Sequence, residues 1–223
     1  FDKGAIYLSD ARASGIAVRT PDINLSRSDF ISLMMQGEKA VSFGLSAIRN
    51  VGEGLVEQML VERDANGPYA TFHDFADRAP EAVLNKRTVE SLIKAGAFDT
   101  LGHPRRGLLM SFERILDSSI TRRRERDRGI MSLFGDEMAS DNGFTDRVEI
   151  PALEFDKTDQ LRNEKDMLGL YVSDHPLMGV EHALRRRIDC GIGEARERED
   201  GAFVITGGVI TGLAKKYTKK GDQ

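Results

Sequence analysis

A chain of 223 residues with a single cysteine cannot close an internal disulfide, and Cys190 has no second thiol with which to build a thiolate zinc site. That usage fits a reducing compartment and makes Cys190 a small buried hydrophobe. Long apolar runs are missing too. No stretch approaches the roughly 18 residues that a membrane span requires, and Phe1-Asp2-Lys3-Gly4 is not a signal peptide. The expectation is a soluble, cytoplasmic protein with no membrane partner. Nor does one sign of charge dominate: 32 Lys+Arg stand against 36 Asp+Glu, a formal net charge of −4. A uniformly basic nucleic-acid coat is excluded, so any contact with phosphate must come from local patches. Position 1 is not Met, which reads as a segment of a longer reading frame.

Catalytic constellations are also lacking. The four histidines (73, 103, 175 and 182) have no metal-ligand spacing, and neither a Walker loop nor a nucleophile elbow is present. Asp22, Asp156, Asp159, Asp166 and Asp174 are scattered, which suits solvated or helix-capping roles better than paired acid-base work. The chain therefore shows no metal site and no catalysis of its own.

What is present is mostly helix periodicity. Residues 1–35 hold short apolar runs around Ile6-Tyr7-Leu8 and Gly15-Ile16-Ala17-Val18, too little for a separate core, and read as the tail of a preceding domain. From Val41 the pattern turns helical, with Leu45 and Ile48 on one face before Asn50-Val51-Gly52-Glu53-Gly54. Leu55, Val56, Met59 and Leu60 then recur at spacings of three and four. Thr71 with Asp74 forms a capping pair for a short helix through Phe72 and Phe75, and Asn85 caps a helix carrying Val89, Leu92 and Ile93. After Gly96 the stripe resumes at Leu108, Leu109, Phe112, Ile115 and Leu116, so two helical hairpins lie in tandem over about 43–118. Residues 135–151 read as a linker, and a further helix is expected over 158–172. The β-rich run 203–210 reads as a strand of a sheet that this stretch does not complete.

The spacing Leu45-x-x-Ile48-x-x-Val51-Gly52-Glu53-Gly54 points to a helix-hairpin-helix motif. Glycines there let the turn close and bring backbone N–H groups at a helix start against a phosphate. Asn50, Gly52, Gly54 and Gly96 are the backbone candidates, and Lys86, Arg105 and Arg106 the side-chain candidates. Between Leu101 and Arg128 eight arginines face four acids, the local basic patch that the total charge conceals; its run Thr121-Arg122-Arg123-Arg124 suits a solvated helix end as well as a DNA contact. Directly after it, Met131-Ser132-Leu133-Phe134-Gly135 offers two large apolar anchors for a partner pocket, with folding back on its own domain as the alternative.

The order of these motifs resembles the bacterial DNA polymerase III alpha subunit family. The resemblance is carried by Pro21-Asp22-Ile23-Asn24, by Phe43-Gly44-Leu45-Ser46-Ala47-Ile48 running into Gly52-Glu53-Gly54, and by Asn85-Lys86-Arg87 with Ala95-Gly96-Ala97-Phe98-Asp99. Ser132-Leu133-Phe134-Gly135, Glu164-Lys165-Asp166-Met167-Leu168-Gly169, Ser173-Asp174-His175-Pro176 and Thr218-Lys219-Lys220-Gly221 follow in the same order. The resemblance implies that residues 1–35 close the polymerase fingers. Residues 36–190 would form the clamp-binding domain with its tandem helix-hairpin-helix unit, and residues 191–223 would open an OB domain. It also implies a sliding-clamp (beta subunit) contact through Ile130, Met131, Ser132, Leu133 and Phe134, with Ile130 standing where the family usually has Gln. Catalytic aspartates and their Mg2+ would lie in a palm outside this chain, which would itself hold no cofactor.

The expected fold is thus mainly α with a small β portion, and the expected partners are duplex DNA, the sliding clamp and other replicase subunits. Two alternatives stay open: an interaction adaptor that does not touch DNA, and the same region of an error-prone relative.

Overall fold

In the computed structural model, which describes residues 4–35, 37–128, 147–174, 176–177 and 179–210, the chain divides into two compact units, Phe1–Ser173 and Asp174–Gln223. The first opens with α1 (Gly4–Ala13) and a three-stranded sheet of β1 (Ala17–Arg19), β2 (Ile31–Met35) and β3 (Glu38–Ser42). The strand order is β1-β3-β2, with β1 parallel and β2 antiparallel to β3. Leu33 faces Ala40 and Met35 faces Glu38 in the β2–β3 register. Strands β1 and β2 both need β3 to satisfy their backbone groups, so residues 1–35 belong to the unit that follows them.

The Pro21-Asp22-Ile23-Asn24 turn reinforces that union. Asp22 Oδ1 accepts the N–H groups of Asn24 and Leu25 at 2.7 and 2.9 Å, which closes a local turn. The Asn24 amide pairs both ways with the backbone of Tyr69, at 2.9 and 2.8 Å. From α2 (Glu53–Asn66), the buried Arg63 donates to the carbonyls of Ile23 and Ser26 at 2.9 and 2.8 Å. These polar groups are satisfied inside the fold, and Ile23 enters the core at 1% exposure.

The helices follow their local signals closely. Thr71 caps α3 (Phe72–Arg78) by accepting from Asp74 N, and Asn85 caps α4 (Lys86–Ala95) by accepting from the N–H groups of Arg87 and Thr88. The long α5 (Arg105–Asp127) buries Leu108, Phe112, Ile115 and Leu116 as its periodicity foretold. Asp156 caps α6 (Lys157–Leu168), which ends at the left-handed Gly169 and not at Val172. One expected helix is absent. Around Leu45 the chain makes a single 3-10 turn (Leu45–Ala47), because the N–H groups of Leu45 and Ser46 bond to the carbonyls of Arg27 and Ser28. A Cβ on Gly44 would collide with Ser28 and Asp29, so this docking depends on the glycine.

The core centres on aromatic rings contributed by α3 and its flanks. Phe98 meets Phe72 and Phe75 edge-on at centroid distances of 5.0 and 4.9 Å, and Tyr69 meets Phe75 at 5.2 Å. Across this core, buried Arg105 on α5 donates to Glu164 on α6 at 2.9 Å and to Asp99 at 2.8 and 2.6 Å. Glu164 is fully buried, and its second oxygen accepts from Ser173 N at 3.0 Å.

Part of the expected 135–151 linker is structural. His73 Nε2 bonds Val148 O, Gly107 N donates to Leu153 O, and a Cβ on Gly107 would strike Pro151 O. Val148 and Ile150 pack on the core. Within residues 174–223, the helices α7 (Glu181–Arg185) and α8 (Ile192–Ala195) are short, and Cys190 is buried. Asp189 and Ile205 exchange two hydrogen bonds of 2.8 Å. Residues 203–210 join no ladder among the described residues, and the remainder of the expected OB strands, 211–223, lies outside them.

Truncating the central ring by Phe98→Ala is expected to lower unfolding free energy by about 3–5 kcal/mol in a urea titration. Glu164→Ala removes one of the two carboxylates that meet the buried Arg105 guanidinium and leaves it paired with Asp99 alone, which should cost about 2–4 kcal/mol. A loss under about 1 kcal/mol for Glu164→Ala would show that the pair is not buried as described.

Candidate nucleic-acid interface

The first glycine corner is built outward from a fixed residue. Asn50 adopts φ 65°, the left-handed region that asparagine tolerates better than most residues. Its Nδ2 donates to Ser91 Oγ at 3.1 Å and its carbonyl accepts from Thr88 Oγ1 at 3.3 Å, both on α4. The Asn50 side chain is therefore engaged in positioning the corner. Ile48 and Val51 bury beneath the corner, leaving Gly52, Glu53 and Gly54 exposed.

Gly52 is the N-cap of α2 and supplies no side-chain cap. Among the described residues, no acceptor meets the N–H groups of Gly52, Glu53 or Gly54. A Cβ built on Gly52 or Gly54 meets nothing within 4 Å, and Gly52 sits at φ −79°, ψ 146°, which any residue adopts. Neither glycine is demanded by the fold's own packing. Gly54, inside a helix, even weakens it by about 0.5–1 kcal/mol relative to alanine. What a bare backbone offers here is close approach by something outside the chain, at the positive end of a 14-residue helix.

The second corner is different. Gly96 ends α4 at φ 85°, its N–H bonds back to Leu92 and Ile93, and a Cβ there would run into the Arg105 guanidinium. Its glycine is required by the left-handed cap and by Arg105, so the expected phosphate contact at Gly96 is not supported. Arg105 is likewise removed from the candidates. It is 4% exposed, and although burial alone would lower its pKa, the carboxylates of Asp99 and Glu164 more than offset this and hold it above the ordinary arginine value.

Lys86 is half exposed but pairs with Glu113 at 2.9 Å and Asp117 at 3.2 Å, which raise its pKa. Arg106 is exposed and has no side-chain partner among the described residues. The run after Thr121 is mostly structural. Arg123 caps α3 by donating to Ala76 O and Ala79 O, Arg122 pairs with Asp77, and Arg124 pairs with Glu81. The expected clamp residues Ile130, Met131, Ser132, Leu133 and Phe134 lie outside the described residues.

Two basic residues that the sequence alone did not single out stand beside the open corner. Arg49 precedes Asn50 in the chain, and Arg87 lies on α4 one turn before Ser91, whose hydroxyl links the Arg87 carbonyl to the Asn50 amide. Helix geometry could have found Arg87. At 100° per residue it stands about 40° from Ser91, whereas Lys86 stands about 140° away and meets α5 instead. Among the described residues no cluster of His, Cys, Asp and Glu could hold a metal ion, and no helix is long and apolar enough to cross a membrane.

Comparison with known proteins converges on the same region. The Helix-hairpin-helix motif family matches residues 15–108, which include the sheet, the open corner and α4. DNA polymerase III subunit alpha of Saccharopolyspora erythraea is 38% identical over 99% of this chain, that of Mycobacterium leprae 37% over 99%, and that of Thermus aquaticus 39% over 99%. The chain spans only 19%, 18% and 17% of those relatives' lengths. Along nearly its whole length, the chain is similar to a segment of DNA polymerase III alpha subunits, equivalent to under a fifth of those relatives.

Proposed function

We propose that residues 1–173 hold duplex DNA by its phosphate backbone, without reading base sequence, within a DNA-directed DNA polymerase. The observation that carries this reading is the pair of glycines, Gly52 and Gly54, left bare at the start of α2 where nothing in the protein requires them. Backbone amides and arginines contact phosphate oxygens and not base edges, so affinity depends on salt and not on sequence.

In this reading the segment after α5 tethers the polymerase to the sliding clamp. Leu133 and Phe134 supply the apolar anchors, next to Met131 and Ser132, and Ile130 gives up the amide contact a glutamine would make. Tethering keeps a released primer end at high effective concentration, which lengthens synthesis runs. Nucleotidyl transfer, with the Mg2+ it uses, falls to the rest of the relatives' length, as do most contacts with other replicase subunits. Residues from 191 onward open an OB domain, and the whole works in the cytoplasm.

A second reading, an interaction adaptor that does not touch DNA, draws on Lys86, Arg105 and Arg122–Arg124 being engaged by intramolecular carboxylates and carbonyls. Salt separates the two. With about four phosphate contacts, duplex affinity should fall roughly a hundredfold between 50 and 200 mM salt, while an adaptor shows no duplex binding at either.

Gly52→Val should weaken duplex binding by about 10–100-fold through lost amide-phosphate bonds, with stability changed by under about 1 kcal/mol. Undiminished binding by the folded variant contradicts the phosphate role of the corner. Joint replacement Leu133→Ala with Phe134→Ala is expected to abolish clamp capture in a pull-down while duplex affinity stays unchanged; retained capture removes the clamp assignment.

A further inference from the structure

The amide corner cannot bind phosphate well on backbone alone. Glu53, the first residue of α2, places an exposed carboxylate in the same turn, and Glu57 follows one turn later. Like charge close to an incoming phosphate opposes it, and the partial positive charge of a helix start is only about half a unit. Something must supply positive charge beside Gly52. The basic residues that motif reading favours do not: Lys86 faces Glu113 and Asp117, and Arg105 is sealed by Asp99 and Glu164.

We infer that Arg49 and Arg87 are the side chains that complete the phosphate grip at this corner. The inference rests on the DNA-binding reading above. Both residues are exposed, and among the described residues neither side chain has a hydrogen bond or ion pair. Their backbones are nonetheless fixed. Arg49 N donates to Met167 O at 2.9 Å, anchoring it to the end of α6. Arg87 N is held by the Asn85 cap at 2.9 Å, and the Arg87 carbonyl accepts from Ser91 Oγ at 2.9 Å while that oxygen accepts from Asn50. The two side chains thus leave fixed backbone, one at the corner itself and one on the helix hydrogen-bonded to it. A guanidinium suits the task because its planar fork can hold two phosphate oxygens at once. With both arginines the formal charges of Glu53 and Glu57 are cancelled and the partial positive charge of the helix start is left over; without them the corner is negative.

The test measures duplex affinity of the full chain at several salt concentrations, using one DNA duplex of mixed sequence. Arg49→Ala and Arg87→Ala should each reduce the slope of log affinity against log salt by about one, and together by about two. Lysine at either position should restore most of the slope. Glu53→Gln should tighten binding in the wild-type background. Because neither arginine has a side-chain partner among the described residues, the arginine variants should melt with the wild type. If Gly52→Val weakens binding and the arginine variants keep the wild-type slope, this inference is wrong while the DNA reading stands. If wild type and Gly52→Val bind duplex equally poorly at all salts, the DNA reading itself has failed and the inference falls with it.

Discussion

A guanidinium withdrawn from water must have its charge and its N–H groups met on every side, and Arg105 imposes that condition on two separate stretches of the chain. Asp99 comes from the turn after α4, Glu164 from α6, and Gly96 has no Cβ because the guanidinium occupies that space. Glu164 passes the constraint on by taking Ser173 N on its other oxygen, which fixes the turn after α6. Arg12 on α1 then donates to the carbonyls of Tyr171 and Val172, drawing the first helix to the same place. One buried charge therefore sets the relative positions of α4, α5 and α6, and through them the end of α1.

That arrangement divides the two glycine corners between structure and function. At Gly96 the glycine serves the interior, since Arg105 fills the space beside it. At Gly52 and Gly54 nothing fills it, and the amides face solvent. The open corner is nonetheless rigid, because Asn50 is tied to Thr88 and Ser91 and because Ile48 and Val51 are buried beneath it. A preformed site loses little conformational freedom on binding.

The same economy appears along α5. Arg122, Arg123 and Arg124 would look like a nucleic-acid contact in isolation, yet each is used to fasten α5 to α3 and the loop after it. Arg123 supplies the carbonyls at the end of α3 with donors, the role a C-terminal cap would otherwise fill. Residues 147–153 lie against α3 and α5 as well, so the chain on both sides of residues 129–146 is anchored to one helical layer.

Local chemistry was legible in the sequence because it acts over three or four residues. The caps at Thr71 and Asn85, the apolar stripe of α5 and the glycine corner at Gly52 all depend on near neighbours, and each forms where the pattern places it. The motif order was sufficient to point to the similar proteins. What tertiary structure alone decided was which charges are free. Arg105 and Arg106 are adjacent in sequence, yet one is sealed and the other exposed; Lys86 and Arg87 are adjacent, yet one meets α5 and the other flanks the corner. The strand pairing that joins residues 1–35 to the rest, and the 3-10 turn in place of a helix at Leu45, were likewise settled by partners distant in the chain. The reason is the same in each case: a hydrogen bond or ion pair to a remote carboxylate or carbonyl outweighs a local preference of a few tenths of a kcal/mol, about the scale on which propensity acts.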